Sequence, residues 1–385
     1  MGVIFLYFFL FLGVHFLSKQ FKCPGAARLF QLITCFILLF GFFGFRDLTV
    51  LNDTSHYYGF YYHKAHILSF RNEPVTTFHL LDKYEYGFQV LTHILVKYIS
   101  KEPYTIILFS SIVITVGELW FINKYSHEIA KVCFYMLVSG LFFTHYCIIR
   151  QAFALMFFYV AFYQFERGKI LHYYLLVLCA CMFHLSAICL FFLPLVTKIK
   201  PSKRHALIAI CLSLIWAVAI FEILALLGLK DHPYYQAAIQ KESLSLVGLA
   251  DCVLIIFVLS VCMFARKKSK APAPDPIFFW ICIIALCVSL IAPVFYPIAR
   301  VNEYLWPLIL IHLLRYIAPS AMRRPYTQRQ QIEGTRNLLK ILVIIVFLTK
   351  MIGINTFRPE WLHIEPYQFY DFSKKDHTFN LYPQE

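Results

Sequence analysis

Apolar residues run through this chain in long blocks separated by short polar breaks. The segment at 29–45, LFQLITCFILLFGFFGF, carries no charged side chain. As an α-helix rising 1.5 Å per residue, a block of that size approaches the ~30 Å hydrocarbon layer of a bilayer. No stretch has the mixed polarity of a separate soluble domain. The pattern predicts an all-α, polytopic integral membrane protein of about twelve crossings. It is read as one membrane domain over 1–385, with external loops at 46–85 and 229–249 and an external C-terminal tail at 355–385. The first block, 1–17, lacks a basic leader and a small-residue cleavage site, so it is expected to stay as the first helix.

The polar breaks fix a path for the chain. Lysine and arginine collect in SKQFKCPGAAR (18–28), KIKPSKRH (198–205), RKKSK (266–270) and RRPYTQRQQIEGTR (323–336). NKYSHEIAK (123–131) and ERGK (166–169) are weaker members of the set. Basic breaks mark the cytoplasmic side. With all six there, segments 132–164 and 170–197 must each go out and come back within about thirty residues, where two full spans need about forty. Pairs of short helices turning within the outer part of the membrane satisfy both demands. The first turn is expected near THYCIIRQ (144–151) and the second near FHLSA (183–187). A competing path uses more conventional spans. It makes 90–98 one of them, leaves ERGK outside and moves Arg150 to the inner face.

Composition agrees with the pattern. Hydrophobic residues are 60% of the chain and charged ones 15%, with a formal net charge of +14. Soluble chains are about a quarter charged. Because the positive charge sits in the breaks, it reads as membrane topology, and no nucleic-acid partner is expected. The twelve cysteines lie mostly inside apolar blocks and form no CxxC pair, so they read as small buried residues. Three histidines, His56, His63 and His66, form a weak metal pattern; no metal or other cofactor is expected.

The polar residues on the outer side of this path need explaining, since ionisable groups within a membrane usually mark sites or pathways. Arg46, Asp53 and Tyr57 stand in the first external segment and Glu85 near its end. Arg150 and Gln151 stand at one turn and His184 at the other. Arg300 and Tyr304 follow a later external turn, and Tyr367 lies in the tail. Plain roles exist for several: an interfacial anchor for Arg46, an aromatic belt for the tyrosines, packing for His184. Arg150 lies farthest from any polar break, so anchoring explains it least. Guanidinium groups stay protonated and offer a planar fork to phosphate oxygens. Asp53 or Glu85 is suited to take a proton from, or orient, a sugar hydroxyl. Together these groups suit a membrane-held phosphate with a polar head outside, such as a lipid-linked sugar pyrophosphate.

The ordered motifs carry a resemblance. Arg46, Asp53 and Tyr57 are followed by EYGFQVL (85–91), RQAFA (150–154), FHLSA (183–187) and RVNEY (300–304). This series resembles the EpsG family of polysaccharide-synthesis membrane proteins, which are Wzy-like polymerases. The resemblance implies a GT-C-like fold and a membrane glycosyltransferase of the bacterial inner membrane. Such an enzyme joins undecaprenyl-pyrophosphate-linked oligosaccharide repeat units at the outer face, making O-antigen, capsule or exopolysaccharide. A flippase and a chain-length regulator of the same pathway are the implied partners. It further implies that Arg150 and Arg300 hold pyrophosphate, that His184 contacts phosphate or moves a proton, and that Asp53 or Glu85 serves the acceptor hydroxyl. Tyr57, Tyr304 and Tyr367 would stack on sugar rings, with Gln151 a substrate contact and Arg46 a reserve contact to phosphate. No strong paired-carboxylate motif is present, which argues against a metal-dependent site. Two other functions share the size and charge. A flippase of lipid-linked oligosaccharide is expected to show two similar halves and a charged path through the full depth; neither is visible. A membrane acyltransferase would pair His184 with an early acid/base histidine, for which His15 is a poor candidate.

Overall fold

A computed structural model describes residues 2–71, 84–226, 228, 230, 235–236, 239, 246–269, 275–317, 326–357, 359 and 362–373. Side chains at 67–71, 246–247, 266–269 and 326–332 are outside the description. Most of the expected loop at 229–249, the middle of the one at 46–85 and the end of the tail also lie outside the described residues. Within them the protein is all-α, with one isolated antiparallel bridge between Arg46 and Phe369. The chain forms two compact units, one from residues 1–188 and 344–385, the other from 189–343.

In the first unit, α2 (Pro24–Gly44) and α5 (Thr105–Tyr125) are long apolar helices, and α1 (Gly2–Ser18) is a shorter one. Pro24 opens α2, where the missing N–H costs nothing. Between α2 and α5 lie α3 (Thr54–Arg71) and α4 (Tyr86–Tyr98). The thirteen residues of α4 reach only part of the way across a bilayer. Next come α6 (Ile129–Val138) and α7 (Leu141–Cys147), bent by 77°. The bend falls at Gly140, whose φ of +84° is a left-handed conformation open to glycine at no steric cost. A second break at Ile148 leads into α8 (Ile149–Glu166). Its neighbours His145, Tyr146, Cys147 and Ile149 are all buried. Irregular backbone at membrane depth needs such protein cover.

A tight turn joins α8 to α9 (Ile170–Phe183). Gly168 takes φ +74°, its N–H bonds Phe165 O at 2.9 Å, and Lys169 N–H reaches Gln164 O at 2.9 Å. This is a glycine C-cap that reverses the chain at once, so α8 and α9 lie side by side. At His184 the backbone turns extended and a 3-10 helix, Leu185–Phe192, continues.

Cross-links sort this unit into two ends. At one end Arg28 bonds Asn123, Tyr125 bonds Glu166, and Gln31 accepts from Ala130 N–H. The three basic breaks at 18–28, 123–131 and 166–169 therefore share that end. At the opposite end stand Arg46, Glu85, Arg150 and the tail. The competing path, which separates ERGK from the other breaks and makes 90–98 a full span, does not fit this arrangement.

The second unit contains α10 (Leu193–Val196), α11 (Lys203–Leu226), α12 (Leu246–Ser269), α13 (Pro276–Ile291) and α14 (Asn302–Ile317). The last helix, α15 (Tyr326–Phe357), starts here and ends in the first unit. Asp275 caps α13 by accepting from Ile277 N–H at 2.9 Å. α13 packs against α11, α12 and α14. Its Ser289 hydroxyl accepts from Asn302 at 2.8 Å.

Where about twelve crossings were expected, five described helices are long and apolar enough to span, or six with the bent α6–α7 pair as one. Other apolar helices, such as α1, α9 and α13, have 14–17 residues and are short for a full crossing. The expected count of about twelve included such short and broken helices.

Candidate active site

Three helix N-termini meet at the end of the first unit opposite the basic breaks. Asp53 precedes α3, Glu85 precedes α4, and Arg150 lies in the first turn of α8. A helix N-terminus carries about half a positive charge and unsatisfied N–H groups, so it favours anions. Glu85 answers this field and also forms an ion pair with Arg150 Nη1. The Arg150 guanidinium lies 5.0 Å over the ring of Tyr84. Its backbone N–H points at the Tyr57 hydroxyl oxygen at 3.5 Å, the long limit of a hydrogen bond. The Arg150 and Glu85 side chains are 14% and 22% exposed, so the pair is sheltered but open to a ligand. Among the described residues no side chain hydrogen-bonds the Asp53 carboxylate, which is half-buried beside Tyr57.

Aromatic rings form the bed of this cluster. Phe60 and Tyr84 lie 4.0 Å apart, Tyr57 and Phe88 5.5 Å apart, and Phe153 and Phe183 5.5 Å apart. Tyr57 itself is buried at 4% exposure, so its ring packs on protein and its hydroxyl is the group turned to Arg150. Gly87 explains part of the EYGFQVL motif. A Cβ there would sit 2.7 Å from Met182 O and 3.1 Å from Met182 Cβ. The start of α4 thus rests directly on the end of α9, next to His184. Gly87→Ala is expected to push α4 off α9 and cost about 1–3 kcal/mol. The check is a lowered melting temperature in detergent, with Gly13→Ala, whose Cβ would meet nothing within 4 Å, as the tolerated control.

His184 ends α9 and is buried. Its Nδ1 accepts from Ser186 N–H at 3.3 Å and lies 2.7 Å from Ser186 Oγ. Accepting at Nδ1 leaves Nε2 as the protonated nitrogen of a neutral ring. Gln151 is buried at the start of α8.

Arg46 has a different environment from the one expected. It is fully buried and gives its N–H groups to Thr54 Oγ1 at 3.0 Å, Phe43 O, Ser111 Oγ at 3.2 Å and Tyr146 O at 3.1 Å. A buried guanidinium needs such partners. These ties join the end of α2, the start of α3, α5 and α7. Arg46 serves the scaffold, in place of the reserve phosphate contact. Tyr367 joins the same scaffold. Its ring stacks on Phe42 at 4.3 Å and its hydroxyl donates to Phe42 O. The tail is strapped down by Asp47 N–H to Gln368 O at 2.9 Å and Tyr370 N–H to Phe45 O at 2.8 Å. Tyr370 also stacks on Tyr104 at 3.8 Å.

Arg300 and Tyr304 belong to the second unit. Arg300 is half-buried in a 3-10 turn, Tyr296–Val301. Tyr304 is fully buried, so its ring packs in the core rather than standing open to a sugar. No group of three or more histidine, cysteine or acidic side chains fit for a metal occurs among the described residues.

Three residues of the first unit did not stand out in the sequence. Glu118 on α5 and His145 on α7 are fully buried and meet at 2.6 Å. Tyr84, beneath Arg150, was also overlooked. The signal for Glu118 was present: it is the one acidic residue in α5.

No curated protein and no solved structure matches the chain. One family description does, that of the EpsG family, over residues 29–369. The match runs through the three helices whose ends form the cluster and through nearly the whole chain, and the chain therefore belongs to the EpsG family.

Proposed function

We propose that this protein is a polysaccharide polymerase that joins undecaprenyl-pyrophosphate-linked oligosaccharide units at the outer face of the bacterial inner membrane. Membership of the EpsG family supports polysaccharide synthesis. The observation that carries the finer reading is the Arg150–Glu85 pair at three converging helix N-termini, opposite the basic breaks.

In the proposed reaction an acceptor hydroxyl oxygen attacks the anomeric carbon of the donor sugar. The new carbon–oxygen bond forms as the bond to the pyrophosphate oxygen breaks, and the lipid pyrophosphate leaves with the electron pair. Arg150 and the α8 N-terminus face that growing negative charge. Preorganised charges of this kind usually supply the largest share of catalysis. Glu85 holds the guanidinium in place. Asp53, whose carboxylate no described side chain engages, takes the acceptor proton. His184, with its proton on Nε2, is a donor for a phosphate oxygen.

Deleting the gene discriminates among the functions that share this architecture. Loss of a polymerase leaves single repeat units on the lipid carrier outside the membrane. Loss of a flippase leaves none exported, and loss of a sugar acyltransferase leaves chain length intact. The expected result is exported single units; either other profile overturns the proposal.

A further inference from the structure

We propose that Glu118 is a positioning residue for the reaction: through His145 and Tyr159 it locks the broken helix that presents Arg150. This inference rests on the function proposed for Arg150.

Glu118 is buried in α5 and holds the chain on both sides of the Ile148 break. Its Oε1 lies 2.6 Å from His145 Nδ1, at the last turn of α7. Both its oxygens accept from the Tyr159 hydroxyl on α8, at 3.1 and 3.0 Å. Arg150 stands between these two anchors. No aligned run of helix hydrogen bonds spans the break, so side chains must fix the relation of α7 to α8.

The same face of α5 supplies further ties. Ser111, Thr115 and Glu118 are spaced four and three apart, which puts them in one row along the helix. Thr115 Oγ1 lies 2.6 Å from the Tyr146 hydroxyl. Ser111 Oγ accepts from Arg46, which also bonds Tyr146 O. The last turn of α7 is thus held at His145, at the Tyr146 carbonyl and at the Tyr146 ring.

A carboxylate buried this deeply is costly unless its partners are complete. An apolar pair would pack α5 against α7 and α8 with less risk. What the polar network adds is direction: hydrogen bonds fix distances and angles that apolar contacts leave loose. Displacing a reacting or charge-stabilising group by about 1 Å costs on the order of a hundredfold in rate.

The test uses the full-length protein with Glu118→Gln, His145→Gln, the double variant and Tyr159→Phe, alongside Arg150→Ala. Each is purified in detergent for its melting temperature. Each is then given the lipid-linked repeat units that accumulate in the deletion strain. Glu118→Gln is expected to lower kcat by about a hundredfold, with KM and melting temperature close to wild type. The double variant should be no worse than the worse single one, because both changes break one lock.

Unchanged kcat in a folded Glu118→Gln protein overturns the inference, as does a fall in activity that only follows a fall in folded protein. If Glu118→Gln does not fold, Tyr159→Phe decides. It removes one hydroxyl and keeps the ring stacked on Phe121 at 3.9 Å. Lower kcat at unchanged melting temperature supports the lock, and unchanged kcat sinks it. An active Arg150→Ala protein would instead overturn the function assigned to Arg150, whatever the Glu118 variants do.

Discussion

Arg150→Ala is expected to reduce surface polymer to single repeat units on a gel, at wild-type protein level in the membrane. Removing a preorganised charge that meets a leaving group costs about 10²–10³ in rate. A polymerase slowed that far adds few units before its substrate is used elsewhere. Arg150→Lys keeps the charge and loses the planar fork, so it should give short chains between the two extremes. The alanine variant has one structural consequence that must be separated from chemistry. Glu85 loses its cation, and a sheltered carboxylate without a partner destabilises the fold. Pairing Arg150→Ala with Glu85→Gln removes that cost. The double variant should recover stability and stay inactive. Long polymer from either alanine-bearing protein would end the catalytic assignment.

Asp53→Asn is the second large effect, and here geometry makes the variant unusually clean. Asp53 directly precedes α3, and asparagine has nearly the size and shape of aspartate. The substitution therefore keeps the side chain's volume and removes its charge and its capacity to take a proton. General-base catalysis is worth about 10²–10⁴, so chain extension should stop while protein level and melting temperature stay the same. Normal chain length in Asp53→Asn cells would leave Asp53 a structural residue and return the base to another group.

Much of this arrangement was legible in the sequence, for physical reasons. Loop charge and block length together demanded broken helices at 144–151 and 183–187, and breaks stand at Ile148 and His184. ERGK was placed among the basic breaks, and it shares one end of the first unit with the breaks at 18–28 and 123–131. Pairing was not legible. Arg150 and Glu85 are 65 positions apart, and nothing local announces their contact. Arg46 looked like an interfacial anchor because it ends an apolar block. Its burial depends on carbonyls at Phe43 and Tyr146 that only the fold brings to one place. Glu118 lies near the polar end of α5, where an acidic residue reads as interfacial. The bent α6–α7 pair covers that depth with protein and so buries it. The family resemblance implied that Tyr57, Tyr304 and Tyr367 stack on sugar rings. In this fold their rings pack against protein. Residue type sets what a side chain can do, and tertiary packing decides which partner it meets.

One measurement tests the central claim most directly. Wild-type protein and Arg150→Ala, each reconstituted into liposomes, are given lipid-linked repeat units from the deletion strain. Both products are followed: the glycan ladder and the sugar-free lipid pyrophosphate. The wild type is predicted to release one lipid pyrophosphate for each unit added, and Arg150→Ala to release none above background. A ladder that forms as well with Arg150→Ala, or lipid-linked units that cross the bilayer without being joined, would contradict the account.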